Sequence, residues 1–392
     1  MKGIGIRIGA ALFACALSMP GGAQQARHAS KPRLDLNASA TIDRHGVLWA
    51  LYTEGRHLLL RRTADFGRTW SAPQPVNQRP EDIAADGDSR PKIAVAPNGD
   101  VYVSWTQPLS KPYTGHIRFA RSTDGGKRFS EPITVNTDRE EITHRFDSLT
   151  VNGKGQIFVA WVDKRDRVAA EKAGKDGYRG AAVYYAVSDD RGTSFRGDYK
   201  VADHSGECCR IGLLPQEDGS VLAMWRHIFA PNIRDHALTR LTADGEPGKV
   251  RRVTFDDWRV EACPHHGPSL AGVKDGPLHA VWFTQGDKRN GVYYGRLGDG
   301  VVEGLRQVGG DTAAHADVAA AGKRVAVAWK EFDGKRTQLR AMISEDEGRT
   351  WREHTLAETD GPSGQPSVLT HEDRFYVFWH TRQQPLSVHA VP

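Results

Sequence analysis

No stretch of the 392 residues approaches the roughly 18 consecutive apolar residues of a membrane-crossing helix. The apolar run Ile8–Met19 is shorter, follows Lys2 and Arg7, and leads into small residues ending at Ala23. That order is the order of a secretory signal peptide, so residues 1–23 are read as a signal and 24–31 as a short linker. Residues 32–392 form the mature domain, and the expected location is periplasmic or secreted. Cysteine is scarce: Cys15, Cys208, Cys209 and Cys263 are the whole complement. Cys15 lies inside the apolar run rather than just after it, which argues against a lipid anchor. The exported chain then keeps an odd number of cysteines, enough for one disulfide and one spare sulfur. Blocks of Lys and Arg are missing too: the net charge of +5 is spread along the chain, which excludes the usual nucleic-acid footprint. A glycine-rich phosphate loop, HExxH, CxxCH and GxSxG are all absent. Helical periodicity is sparse, and with many glycines and ten tryptophans the class is all-β.

What the chain has is a repeat. An alternating apolar strand, a turn carrying Asn-Gly or Asp-Gly, and a second strand ending in an aromatic residue recur along its length. IAVAPNGDVYVSW ends at Trp105 and LTVNGKGQIFVAW at Trp161; weaker copies end at Trp225, Trp282, Trp329 and Trp379, and a first copy at Tyr52. The copies are spaced by 47 to 64 residues, which suits the four-stranded blade of a β-propeller. Seven blades are favoured over six. The last copy runs out one strand short, and Arg33–Leu36 is expected to supply the missing outer strand and close the ring.

A second phrase follows the third strand of four copies. Thr63–Trp70, Ser122–Phe129, Ser188–Phe195 and Ser344–Trp351 share S/T-x-D-x-G-x-x-W/F. The hydroxyl and carboxylate can cap turn N–H groups, glycine takes a positive φ, and the ring packs between strands. These turns resemble the Asp boxes of the sialidase-like, or BNR-repeat, superfamily. The resemblance covers nearly the whole mature chain, and it implies a propeller whose boxes lie on the face away from the active-site mouth.

Counting back from each tryptophan places the residues that lead into the innermost strands, which crowd the mouth of a propeller's channel. Arg90, Arg210 and Gly267 each lie fifteen residues before theirs (105−90, 225−210, 282−267). Just ahead of them stand Asp88-Ser89, Cys208-Cys209 and His265-His266. Allowing for one extra hairpin residue, His144 and Arg145 fall level with Asp88 and Ser89, and His315 lies one position further along in the sixth copy. Turn chemistry alone would use Gly, Asn, Ser and Pro at such positions.

Several chemistries fit this ring of Asp, His, Cys and Arg. Arg90, Arg145 and Arg210, with Arg226, Arg234, His144 and His315 near them, suit an anionic ligand held by bidentate hydrogen bonds. The structural alternative pairs each arginine with an acid such as Asp88, Asp147 or Glu207. Cys208, Cys209, Cys263, His265 and His266 suit copper or zinc. They equally suit a disulfide from Cys263 to Cys208 or Cys209, or a Cys208–Cys209 bridge, and these readings stay open. The resemblance to sialidases implies an arginine triad, an Asp acid/base and a Tyr nucleophile activated by a Glu. Arg90 and Arg210 would fill two triad places, and Asp88 or Asp147 the acid/base. Two departures stand against this: Ser89-Arg90-Pro91 replaces the usual Arg-Ile-Pro, and no tyrosine leads into a later innermost strand. The expected function is therefore binding of an anionic glycan, small ligand, metal or partner at the channel mouth, with no cofactor required. An exo-sialidase-type hydrolase is the alternative.

Overall fold

Turn chemistry sets the hairpins. At Pro97–Asp100, Gly99 adopts φ +86° and the Asn98 side-chain oxygen accepts the Asp100 N–H, so the chain reverses where the sequence phrase places it. The computed structural model describes residue 1 and residues 36–261 and 265–392. The expected signal peptide, the linker, Arg33–Asp35 of the closing strand, Cys15 and Cys263 lie outside the described residues.

Seven antiparallel sheets, each built from consecutive strands, form the ring. Blade 1 comprises Ser39–Ile42, Leu48–Glu54, His57–Thr63 and Gln74–Pro75; blade 2 comprises Lys92–Val95, Val101–Pro108, Gly115–Ser122 and Ile133–Thr134. Blade 3 runs through His144–Val151, Ile157–Asp163, Ala181–Ser188 and Arg196–Ser205, and blade 4 through Gly212–Pro215, Val221–Arg226, His236–Leu241 and Arg251–Arg252. Blade 5 holds Ser269–Ala271, Leu278–Gln285, Asn290–Leu297 and Val302–Val308; blade 6 holds Ala314–Ala321, Arg324–Phe332, Thr337–Ser344 and Arg352–Thr359. Blade 7 has Ser367–His371, Arg374–Trp379 and Ser387–Ala390, three strands among the described residues. Its innermost strand packs against that of blade 1, and Ala38, Leu48 and Ala50 share one apolar cluster with Leu369, Tyr376 and Phe378. Leu36 lies beside Gly364, ahead of the innermost strand of blade 7. The seven-bladed, four-stranded reading holds, and the six repeat tryptophans are fully buried between blades.

The S/T-x-D-x-G turns repeat one hydrogen-bond set. In the last, Ser344 Oγ donates to Asp346 Oδ1 at 2.8 Å, Gly348 N donates to Ser344 Oγ at 2.8 Å, and Thr350 N donates to Asp346 Oδ1 at 2.8 Å. Each box glycine has positive φ and faces the preceding blade: Gly126 meets Trp49, Gly192 meets Phe119 and Gly348 meets Tyr294. Blade 4 carries a shortened fifth copy missed in the sequence. There Thr242 Oγ1 donates to Asp244, Glu246 N donates to Thr242 Oγ1 at 3.1 Å, and Gly245 faces Tyr199. Its signal was Thr-x-Asp-Gly without the aromatic residue that completes the other four.

Strand alternation assigns the two faces. The hairpins between first and second strands and the S/T-x-D-x-G turns share one face. The lead-ins to the innermost strands and the second-to-third connections share the other, the mouth face.

Candidate functional site

Lead-in residues of blades 2, 4, 5 and 7 meet at the channel axis, and one carboxylate organises them. Asp88 is the central residue of a short 3-10 turn, Gly87–Ser89, and is 1% exposed. Its Oδ2 accepts the backbone N–H of Arg210 at 3.2 Å and of Gly267 at 2.6 Å, and its Oδ1 accepts Gln365 Nε2 at 3.1 Å. Residues from blades 2, 4, 5 and 7 thus meet on one side chain. Burial pushes the Asp88 carboxyl up, but the Arg210 guanidinium 3.6 Å away and the two N–H donors outweigh it and hold it below the ordinary range.

The arginines expected at the mouth are placed as follows. Arg90 donates from Nη1 to Gln365 O at 3.2 Å and from Nη2 to Ser367 Oγ at 3.2 Å; burial and Arg210 lower its pKa to about 10. Arg210 donates from Nε to Pro268 O at 3.1 Å and from Nη2 to Ala316 O at 2.7 Å. Arg226, 2% exposed, donates to the carbonyls of Arg234, His266 and Phe283 and lies over the Trp258 ring. These three guanidinium groups tie several blades together, mostly through carbonyl oxygens. Arg145 stacks on Phe146 and pairs with Asp86 at 3.4 Å. His144 is buried away from the axis, with Nδ1 2.9 Å from Gly115 O and Nε2 3.6 Å from Asp138. Asp147 accepts Ser104 Oγ at 2.6 Å and Thr106 Oγ1 at 3.2 Å; burial raises its carboxyl, opposed by buried Lys92.

His266 and His315 face one another with ring centroids 4.2 Å apart, and His315 Nδ1 lies 2.9 Å from Gln365 Nε2. Burial lowers His266 to about 4 and drives His315 well below its usual value, so both imidazoles are neutral near pH 7. Lys330 beside them is lowered to about 8 by burial. His265 is exposed, in a left-handed backbone conformation with φ +53°. Gln365, Lys92 and Lys330 were missed in the sequence. For Gln365 the signal was there, since it stands fourteen residues before Trp379, as His315 does before Trp329 (379−365, 329−315).

Cys208 is disulfide-bonded and Cys209 is a free, buried thiol. Their sulfurs lie 3.8 Å apart, which rules out the vicinal bridge. The Cys263 pairing falls outside the described residues. Commitment of the Cys208 sulfur also removes it from the copper or zinc ligand set, and among the described residues no three His, Cys, Asp or Glu side chains converge as metal ligands. Alkylation of denatured, unreduced protein is expected to label Cys209 and leave Cys208 unmodified, read by peptide mass mapping; label on Cys208 would contradict the assignment.

One open space on this face lies off-axis among the described residues. Arg167, Tyr178, Arg179, Gly180, Glu207, Arg234 and Glu261 line a cleft of about 380 Å³. The connection of blade 3 that carries the helix Arg165–Lys172 supplies one wall; the second-to-third connection of blade 4 and the lead-ins of blades 4 and 5 supply the rest. Glu207 is fixed by Lys164 at 2.8 Å and Arg167 at 2.7 Å; burial opposes its ionisation, but these cations hold its carboxyl below the ordinary range. Tyr178 donates to Asp203 at 2.9 Å, and burial with that carboxylate drives the phenol upward, the opposite of an activated nucleophile. Among the described residues no tyrosine hydroxyl is hydrogen-bonded to a glutamate, so the pair implied by the sialidase resemblance is not assembled there.

No family model and no curated protein matches this sequence. Solved structures do match the fold. An ulvan lyase of polysaccharide lyase family PL25, bound to -[GlcA(1-4)Rha3S]-, aligns with TM-score 0.51 and 12% identity over 91% of each chain. The GH93 α-L-arabinofuranosidase of Fusarium graminearum, in complex with arabinobiose, aligns with TM-score 0.53 and 15% identity over 81% of this chain and 96% of that one. The α-L-arabinanase of Penicillium chrysogenum, complexed with arabinobiose, gives 0.52 and 14% over 81% and 96%. Identity this low carries the fold alone: the chain is a seven-bladed β-propeller similar in architecture to propeller enzymes that act on polysaccharides.

Proposed function

We propose that this chain is an exported propeller that binds an acidic glycan on its mouth face, in the cleft between blades 3 and 5. The observation that carries the reading is the convergence of Arg167, Arg179 and Arg234 with Tyr178 on one open, polar space. Guanidinium groups bind carboxylates through charge-assisted, bidentate hydrogen bonds, and a phenol ring offers an apolar face to a sugar. The axial arginines Arg90, Arg210 and Arg226 are bonded within the protein, whereas the cleft brings cationic groups together with space for a ligand. That structural neighbours hold arabinobiose and a glucuronate-containing saccharide supports a glycan as the ligand class. Export rests on the signal-like order of residues 1–23.

Calorimetric titration with an oligogalacturonide and with neutral arabinobiose tests this. The acidic sugar is expected to bind and to weaken several-fold from low to physiological salt, as exposed ion pairing requires, while the neutral one binds more weakly or not at all. Absence of oligogalacturonide binding at low salt would end the proposal. Hydrolysis is the second reading, favoured by the presence of two carboxylates, Glu207 and Glu261, in one cleft. A fluorogenic sialoside turned over by wild-type protein and spared by Glu207→Gln would remove it from this cleft.

A further inference from the structure

The three cleft arginines are not equally satisfied. Arg167 spends its guanidinium at short range, on Glu207 at 2.7 Å and Glu171 at 2.9 Å. Arg179 and Arg234 share one carboxylate at longer range: Glu261 Oε1 lies 3.4 Å from Arg179 Nη1 and Oε2 lies 3.5 Å from Arg234 Nη2. Asn232 Nδ2 completes the set, donating to Glu261 Oε1 at 2.7 Å. Good charge-assisted N–H···O bonds are about 2.7–2.9 Å, so both guanidinium groups keep donor capacity unspent.

Burial adds an asymmetry. The Arg234 side chain is 10% exposed and that of Glu261 is 71% exposed. Arg234 is anchored by its main chain, its N–H donating to Trp258 O at 2.7 Å and its carbonyl accepting Arg226 Nη1 at 3.2 Å, while its Nε is buried without a partner. A cation so deeply placed requires an anion, and the carboxylate that answers it is nearly free in solvent. The donors are fixed and the acceptor is loose.

Resting on the acidic-glycan reading above, we propose that Glu261 occupies the place of the ligand's carboxylate and is displaced when a uronate enters. A sugar carboxylate brings the same planar pair of oxygens, one for each guanidinium, and delivers them without the entropy of a solvent-borne side chain. Glu261 thereby sets specificity. A neutral sugar cannot replace it on Arg179 and Arg234, so only an anionic residue gains from evicting it. Glu207, held by two short ion pairs, stays in place and borders the subsite.

The test is titration of an oligogalacturonide into wild-type, Glu261→Gln, Arg234→Ala and Glu217→Gln proteins. Glu217 is an exposed acid paired with Lys274 on the opposite face, so its neutralisation changes the net charge equally without touching the cleft. Glu261→Gln removes the internal competitor and is expected to tighten binding about threefold or more, a size set by the small worth of exposed ion pairs. Arg234→Ala should weaken binding at least about tenfold, as loss of a buried charge-assisted partner does. Glu217→Gln should leave it unchanged. Wild-type binding with Glu261→Gln equal or weaker would overturn the displacement while the glycan reading stood. Equal tightening by Glu217→Gln would overturn it in favour of net charge. Binding by none of the four proteins would overturn both, and binding of a sulfated, uronate-free glycan in preference to the uronate would overturn the carboxylate assignment.

Discussion

Asp88→Ala is expected to lower the unfolding free energy by about 3–5 kcal/mol, the range for removing one partner of a buried charged network. The alanine leaves the N–H groups of Arg210 and Gly267 and the Gln365 amide without their acceptor, and the buried Arg210 guanidinium loses its carboxylate. Each stranded donor costs roughly 1–3 kcal/mol, so the sum exceeds the loss expected at an ordinary surface position. Denaturant unfolding at neutral pH measures it, and a loss below about 1 kcal/mol would show that the axis tolerates an empty centre. The pH dependence has a definite sign. The folded-state pKa of Asp88 is depressed, so its stabilisation is present above the ordinary Asp value of about 3.9 and is lost as pH falls through the lower folded value. Asp147 is the reverse: its carboxyl is raised in the fold, so its contribution is present below about 3.9 and is lost as pH rises through the raised value. Asp88→Asn should therefore flatten the acid limb of the stability curve, and Asp147→Asn should leave that limb in place.

Gly348→Ala carries the second large effect, about 3 kcal/mol of lost stability. Two costs combine. The residue sits at φ +80°, where an L side chain costs roughly 1–2 kcal/mol, and an added Cβ would lie 1.9 Å from the Tyr294 hydroxyl. Tyr294 cannot swing aside cheaply, because it is fully buried and its hydroxyl lies 2.7 Å from His279 Nδ1. Overpacking of this kind costs about 1–3 kcal/mol. Gly125→Ala is the matched control: it lies in the corresponding turn of blade 2 at φ +73° with nothing within 4 Å of its Cβ, so only the backbone cost of roughly 1–2 kcal/mol applies. Equal losses in chemical denaturation for the two variants would mean that box turns do not lock neighbouring blades.

Much of the fold was legible because each blade is one local unit with its own turn chemistry and one aromatic residue at a fixed place. That is why the tryptophan spacing put Asp88, Arg210 and Gly267 close to one level, where the Asp88 carboxylate does bind the other two main chains. Periodicity gives height along the channel and says nothing of what a side chain meets. It could not tell that Arg90 and Arg210 would turn to carbonyl oxygens, or that His144 would pack between blades 2 and 3. Of the cleft lining, Arg234 and Glu207 stood among the residues singled out in the sequence, and the rest was illegible for a different reason. Its wall at Arg167, Tyr178 and Arg179 belongs to a seventeen-residue connection, 164–180, with no counterpart in the other copies, so no register reaches it. Glu261 is likewise set by a long lead-in rather than by the repeat.

The partners of Asp88 are also remote along the chain, at separations of 122, 179 and 277 residues. Stacked repeat arrays gain stability from nearest neighbours and can fold from any point outward. Here a chain that has formed its second blade but not its fourth, fifth and seventh holds an ionised carboxylate with none of those donors. Partly assembled rings are therefore penalised at their centre, and the last blade to arrive completes a bond set begun by the second. That side chain couples blades that are not neighbours in the ring, a link that packing of each blade on the next does not supply.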